Sequence, residues 1–190
     1  MYPNQLIEPM EKKFNPEKFK LVGLALEDFN KALKEGDLRA REARLIPVLK
    51  AGDEMALASV LLASFKYVKE FREKFFKAVK FKKSAQVYYF TEVQFEHREY
   101  SSSRLDGLIL SVSKGVIKDA IILEFKGKNG KVDPSQIDQY LALNKTTFKV
   151  DKLISVSPEY VPDIDHLPYT PIKKYKAVQL YHFSWSRLKN

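Results

Sequence analysis

Residues 104–127 read RLDGLILSVSKGVIKDAIILEFKG, and how this stretch pairs with itself decides the fold. Arg104 to Val112 and Val116 to Phe125 are runs rich in Leu, Ile and Val, and Ser113-Lys114-Gly115 between them is a hairpin signal. A run of the same texture, Val87 to Phe95, precedes them, so the sequence predicts three consecutive antiparallel strands. Two places in these runs need a reason. Asp106-Gly107 falls inside the second run although Asp is depleted from strand interiors, and Glu124 and Lys126 close an otherwise apolar run. Charge in such positions must be solvated or given a partner. Side chains alternate across a strand, so Glu124 and Lys126 share one face while Phe125 points into the opposite layer. A hairpin between the second and third runs brings Asp106 beside them.

Upstream of the strands, Gly52-Asp53 marks a turn and cap, and Leu57, Leu61, Phe65, Val68 and Phe75 predict one long helix from Glu54 to about Ala78. Further upstream, Asn15 and Pro16 fit an N-cap and first helical position. Phe19, Val22, Leu26, Phe29 and Leu33 then recur at helical spacing until Gly36, which predicts an amphipathic helix of about five turns. Its stripe suits docking on the main domain or pairing with a second copy. Asp37 to Leu45 carries Arg39, Arg41 and Arg44 and reads either as a solvated basic linker or as a phosphate-contacting arm. Downstream, Gly127-Lys128-Asn129-Gly130 is a turn, Asp133-Pro134 starts a helix running to about Lys145, and Lys149 to Val156 reads as a strand. A proline-rich loop from Pro158 to about Lys174 leads to a last strand, Ala177 to Trp185. The order of elements predicts a mixed α/β sheet with helices packed against it.

Composition narrows the function. The chain has 190 residues, with 33 Lys and Arg against 24 Asp and Glu, a formal charge of +9 and a pI near 9.5. That balance points to a polyanion, nucleic acid above all, with excess lysine for solubility as the plainer account. The absence of cysteine removes disulfide scaffolds, thiol nucleophiles and cysteine zinc sites. No apolar run approaches the roughly 20 residues of a membrane-spanning helix. No secretory signal opens the chain, so a cytoplasmic location, of the cell or its host, is expected. His97, His166 and His182 lack metal-ligand spacing. Gly127 to Lys131 lacks the glycine spacing and the Ser or Thr of a phosphate-binding Walker loop, although Lys128 and Lys131 follow the charged strand end closely.

Asp106, Glu124 and the Phe125 carbonyl, converging without imidazole or thiolate, make a hard oxygen site suited to Mg²⁺ or Mn²⁺, and Lys126 adds a cation for a phosphate or an attacking water. The plain alternative is a structural salt bridge of Lys126 with Glu124 or Asp106. Gln136 and Tyr140 lie one turn apart on the following helix, so amide and phenol reach one site. Glu54 opens the apolar stripe of its helix, where a carboxylate either meets a metal or lysine or complements the helix N-terminus. Glu92 and Glu96 are the further acidic candidates, and their parity with Gln94 suggests a solvated side.

These residues resemble the PD-(D/E)XK superfamily, the restriction-endonuclease-like nucleases. Asp106, followed 18 residues later by Glu124-Phe125-Lys126, is similar to the family's acidic residue and (D/E)-X-K triplet, and Gln136 with Tyr140 is similar to the Q-x-x-x-Y signature of its RecB-like branch. Leu105 stands where the family's name has Pro. The resemblance runs from Glu54 to about Val156 and implies a restriction-endonuclease-like core in residues 51–190, preceded by a helical extension in residues 1–50. It further implies a metal-dependent hydrolase of phosphodiester bonds, most naturally in DNA. Asp106, Glu124, the Phe125 carbonyl and Glu54 would hold Mg²⁺ or Mn²⁺, with Lys126, Gln136 and Tyr140 at the cleaved bond. The competing expectations are a catalytically inactive nucleic-acid-binding protein on the same fold and a structural protein whose N-terminal helix mediates assembly, for instance as a homodimer.

Overall fold

The computed structural model describes residues 19–45, 54–95, 104–144, 148–160 and 177–188. Its elements are α1 (Leu26–Glu35), β1 (Leu38–Glu42), α2 (Glu54–Tyr67), α3 (Lys69–Ala78), β2 (Gln86–Phe95), β3 (Arg104–Ser113), β4 (Val116–Phe125), α4 (Pro134–Leu143), β5 (Lys152–Ser157), β6 (Gln179–Ser184) and the short α5 (Trp185–Leu188). The six strands form one open mixed sheet in sequence order. β1 to β4 run antiparallel, and β5 and β6 add in parallel at the far edge. The protein is thus α/β, with helices on both faces of the sheet. Among the described residues, no helix is long and apolar enough to cross a membrane.

Strand parity sorts the core into two layers. Leu108, Leu110 and Ile122 point to the face covered by α1 and α4, where they meet Phe29, Tyr140 and Leu141. Ile109, Ile121 and Leu123 point to the face covered by α2 and α3, where they meet Leu62, Phe65 and Phe75. Burying each such Leu, Ile or Phe contributes about 2 kcal/mol. The three-stranded meander is where the sequence predicts it, and Asp133 caps α4 by accepting from the Ser135 N–H at 2.8 Å, with Pro134 at the first helical position.

Four expectations change. The N-terminal helix is half its predicted length, and the predicted cap at Asn15 and Pro16 lies outside the described residues. Gly23 takes φ 98°, and its N–H donates to the Ile117 carbonyl, while Leu24 accepts from the Ile117 N–H and Leu26 donates to Gly115. Main-chain groups that a helix would use internally are zipped onto the start of β4, so α1 begins only at Leu26. Phe19 and Leu21 still reach the core, whereas Val22 is exposed.

The predicted basic linker contains strand β1, which completes the sheet beside β2. Arg39 and Arg41 lie on its exposed side and Leu38 in the core. α1 and β1 therefore share the sheet and core of the remaining elements.

The long helix predicted from Glu54 to Ala78 is broken at Val68, whose backbone is extended. Ser64 Oγ donates back to the Val60 carbonyl, a contact that bends helices. The break folds α3 so that Phe71 and Phe75 stack on Phe65 at 4.9 and 4.4 Å, and Arg72 Nη1 caps the Phe65 and Lys66 carbonyls at 3.2 Å. Aromatic packing thus replaces a continuous stripe. The last predicted strand is shorter too, because its final residue, Trp185, starts α5.

Candidate active site

The acidic cluster follows from the β3–β4 register. Gly107 pairs with Leu123, and one step further places Asp106 opposite Glu124 on the face toward α4. Asp106 is 8% exposed and Glu124 1%. Asp106 Oδ2 accepts the Phe125 N–H at 2.9 Å. Lys126 Nζ lies 2.7 Å from Glu124 Oε1 as a largely buried ion pair. Neither Glu124 oxygen accepts a main-chain hydrogen bond among the described residues. Burial, then the charge of Asp106 and the hydrogen bond to it, push the Glu124 carboxyl up to about 8 against the opposing pull of Lys126. Burial also raises Asp106. The two carboxyls are close enough to share a proton, which relieves the repulsion of two buried charges.

The lysine is tied into a chain of hydrogen bonds that crosses three elements. Lys126 Nζ donates to Gln136 Oε1 at 2.8 Å, Gln136 Nε2 donates to the Tyr140 hydroxyl at 3.2 Å, and that hydroxyl donates to the Arg104 carbonyl at 2.7 Å. The predicted amide and phenol thus meet the triplet lysine and the strand that bears Asp106. Burial disfavours the ammonium, but Glu124, Asp106 and Glu54 outweigh it and leave Lys126 raised, firmly a cation. Tyr140 is raised also, by burial and by the charges of Asp106 and Glu124, so its hydroxyl keeps its proton.

The remaining candidates sit around this chain. The Phe125 ring lies in the α2/α3 layer, as parity predicts, stacked 6.0 Å from Trp185, and its backbone runs between Asp106 and Lys126. Glu54, at the first turn of α2, accepts the Gly127 N–H through Oε1 at 2.7 Å. A Cβ on Gly130 would lie 3.0 Å from Lys126 Cβ and 3.1 Å from Glu54 Oε1, so glycine lets the turn after β4 close tightly over both, and a side chain there would push on them. Among the described residues no three acidic or histidine side chains gather at one point. Asp106 and Glu124 are a pair, with Glu54 held at the turn. Lys128 and Lys131 are exposed on that turn. Glu92 pairs with arginines, while Glu96, His97 and His166 lie outside the described residues. His182 bonds Ser155 Oγ through Nδ1 and the Glu159 carbonyl through Nε2, both at 2.9 Å, which places Nε2 as the protonated nitrogen of the neutral ring. Burial lowers its pKa.

Two contributors are invisible in local sequence. Trp185 Nε1 donates to the Lys126 carbonyl at 2.7 Å, fixing the lysine's backbone from the far end of the chain. Arg104 lines the cleft outside Asp106, a space of about 480 Å³ shared with Gln94, Gln136 and Tyr140. Parity with Asp106 is the one signal that could have found Arg104, and nothing local marks Trp185. No family model, curated protein or solved structure matches this chain.

Proposed function

We propose that the protein is a metal-dependent nuclease with a restriction-endonuclease-like core, hydrolysing phosphodiester bonds in DNA. The observation that carries this reading is the buried acid pair: Asp106 and Glu124, 8% and 1% exposed, face each other across β3 and β4, with the Lys126 ammonium 2.7 Å from Glu124 Oε1. Two buried carboxylates against one lysine leave an excess negative charge, which costs several kcal/mol unless a proton or a further cation meets it. The oxygen-only donor set of Asp106 and Glu124, with the Phe125 carbonyl nearby, suits Mg²⁺ or Mn²⁺. When bound, such an ion would balance the two carboxylates and supply a Lewis acid for a water and a phosphate oxygen.

The chain's own residues have distinct tasks in this reading. Lys126, raised in pKa, serves as a hydrogen-bond donor and fixed positive charge where the phosphate becomes more negative, rather than as a base. Gln136 holds its Nζ in place, and Tyr140 ties that amide to the backbone of β3. The basic excess, +9 over the chain, supplies affinity for the phosphate backbone that weakens with salt. The rival reading, a nucleic-acid-binding protein without catalysis, draws on the Lys126–Glu124 contact at 2.7 Å, which compensates the lysine without any metal.

One panel separates the two. Linear and circular DNA are incubated with the wild type and Asp106→Ala in Mg²⁺, Mn²⁺ or chelator. Cutting that needs the divalent ion and vanishes in Asp106→Ala is the expected result. Unchanged cutting by the variant would remove the site, and salt-sensitive binding with no cutting under any metal would favour the rival.

A further inference from the structure

A second cleft, of about 610 Å³, opens between the end of α1 and the sheet edge, lined by Arg39, Arg41, Glu92, Gln94 and Arg104 among others. Gln94 and Arg104 also line the cleft at Asp106. The two are therefore one groove. It starts at Asp106 on β3 and crosses β2 toward β1, two interstrand spacings or roughly 10 Å away. The arginine end is built rather than scattered. Ala40 faces two residues of β2, because Arg39 pairs with Gln94 and Arg41 with Thr91, and this bulge holds Glu92 at φ 54°. A positive φ on a residue with a long side chain is strained and persists where the surroundings enforce it. Here it aims the Glu92 carboxylate, 17% exposed, between two guanidiniums: Arg41 Nε at 2.9 Å and Arg104 Nη1 at 3.6 Å. The arginines, 70% and 50% exposed, are thus set side by side with their outer edges toward solvent.

We infer that Arg41 and Arg104, spaced by Glu92, form a phosphate-binding subsite that holds the DNA backbone on one side of the cleaved bond. Guanidinium forks match phosphate oxygens in pairs, and an internal carboxylate that orders two of them lowers the entropy lost when phosphate arrives. The groove reads backbone and not bases. Among the described residues Tyr140 is the one aromatic lining either part, and it is 2% exposed with its hydroxyl engaged, so the described lining offers no ring for base stacking. The inference rests on the reading of the site as one that acts on phosphodiesters.

Affinity for a labelled DNA strand is measured in chelator across a salt series, for the wild type, Arg41→Gln and Arg41→Lys. A base-free deoxyribose phosphate oligomer of equal length is the second probe, and cutting is assayed separately in Mg²⁺. The subsite predicts that Arg41→Gln weakens binding about tenfold and lowers the slope of log affinity against log salt by about 1, while Arg41→Lys restores the slope. It also predicts that the base-free oligomer binds like DNA. If these results hold but the wild type cuts nothing, the nuclease reading fails and the subsite stands. Arg41→Gln binding with wild-type affinity and slope, or a base-free oligomer losing more than tenfold, would overturn the subsite whether or not the protein cuts.

Discussion

β4 carries an acid–lysine pair near each end, and the two are built in opposite ways. Toward its start, on the α2/α3 face, Asp119 accepts the Lys82 N–H at 2.8 Å, the Ala120 N–H at 2.9 Å and Lys152 Nζ at 3.2 and 3.4 Å, and that lysine also meets Asp151 at 2.7 Å. Both Asp119 oxygens are satisfied. At its end, on the α4 face, Glu124 is as deeply buried, faces a second carboxylate and meets Lys126 Nζ at 2.7 Å, with no main-chain donor among the described residues. Asp119 and Glu124 are 4% and 1% exposed, so burial does not separate the two acids; their partners do. A fully bonded buried pair tolerates its surroundings and ties strand to strand. A buried acid that faces a second acid, with one lysine against the two, works against the fold that contains it, and chemistry with a cation is the reading that gives it a purpose.

The contrast breaks most readily at the lysines. Lys126→Met is expected to lower metal-dependent cutting by about 10²- to 10³-fold with a folded, cooperative protein remaining. Lys152→Met should leave turnover per folded molecule unchanged. Equal losses of turnover in single-turnover assays of the two variants would erase the distinction.

Stability should divide the other way. Asp119→Ala leaves Lys152 buried with a lone aspartate and strips two main-chain donors, so urea unfolding is expected to show a loss of about 3 kcal/mol. Glu124→Gln, which holds the position uncharged at every pH, should be at least as stable as the wild type in chelator and should lose the stabilisation that Mg²⁺ confers.

The pH dependence has the same origin. The Glu124 carboxyl, held up to about 8 against an ordinary 4.5, keeps a proton in the folded chain that the unfolded chain gives up. Its contribution is therefore present below 4.5 and lost as pH rises toward about 8. Burial disfavours the Lys152 ammonium, but Asp151 and Asp119 raise it overall, so its contribution persists until the pH passes above the lysine range. Melting in chelator should then fall between pH 5 and 8.5, and Glu124→Gln should flatten the profile. A wild-type profile that stays flat would mean that the carboxyls are not sharing a proton.

The smallest expected effect belongs to the clasp on the lysine backbone. Trp185→Phe keeps the stacking on Phe125 and removes one hydrogen bond, which should cost about 1 kcal/mol in denaturant unfolding. It should also slow cutting more than a substitution at exposed Tyr67 does.

Legibility in the sequence followed the range of the interactions. The meander from Gln86 to Phe125 and the meeting of Lys126 with Gln136 and Tyr140 depend on alternation, a three-residue turn and one helical turn, so they could be read locally. Leu38, Ala40 and Arg39, Arg41 do alternate, but five residues become a strand only because β2 offers them an edge. The apolar spacing from Phe19 to Leu33 suits a helix throughout, yet the hydrogen bonds of Gly23, Leu24 and Leu26 to the β4 hairpin take its first half elsewhere. The bend at Val68 reflects aromatic rings that find one another only after α3 turns back. Glu92 looks like an ordinary alternating strand residue, and the bulge that re-aims it belongs to two strands at once. The Trp185 clasp spans 59 positions and could not be read from either end alone.

That clasp has an optical consequence. Trp185 is the single tryptophan of the chain, and its indole N–H is bonded to the carbonyl of the residue that follows Phe125. Excited at wavelengths beyond the absorption of its ten tyrosines, the protein therefore emits from one indole, bonded to the end of β4. Whatever shifts the backbone there, whether a cation between the carboxylates or a strand in the groove, changes the polarity around a single emitter. Titrations of the site can be followed by its emission without a label, with Trp185→Phe as the dark reference.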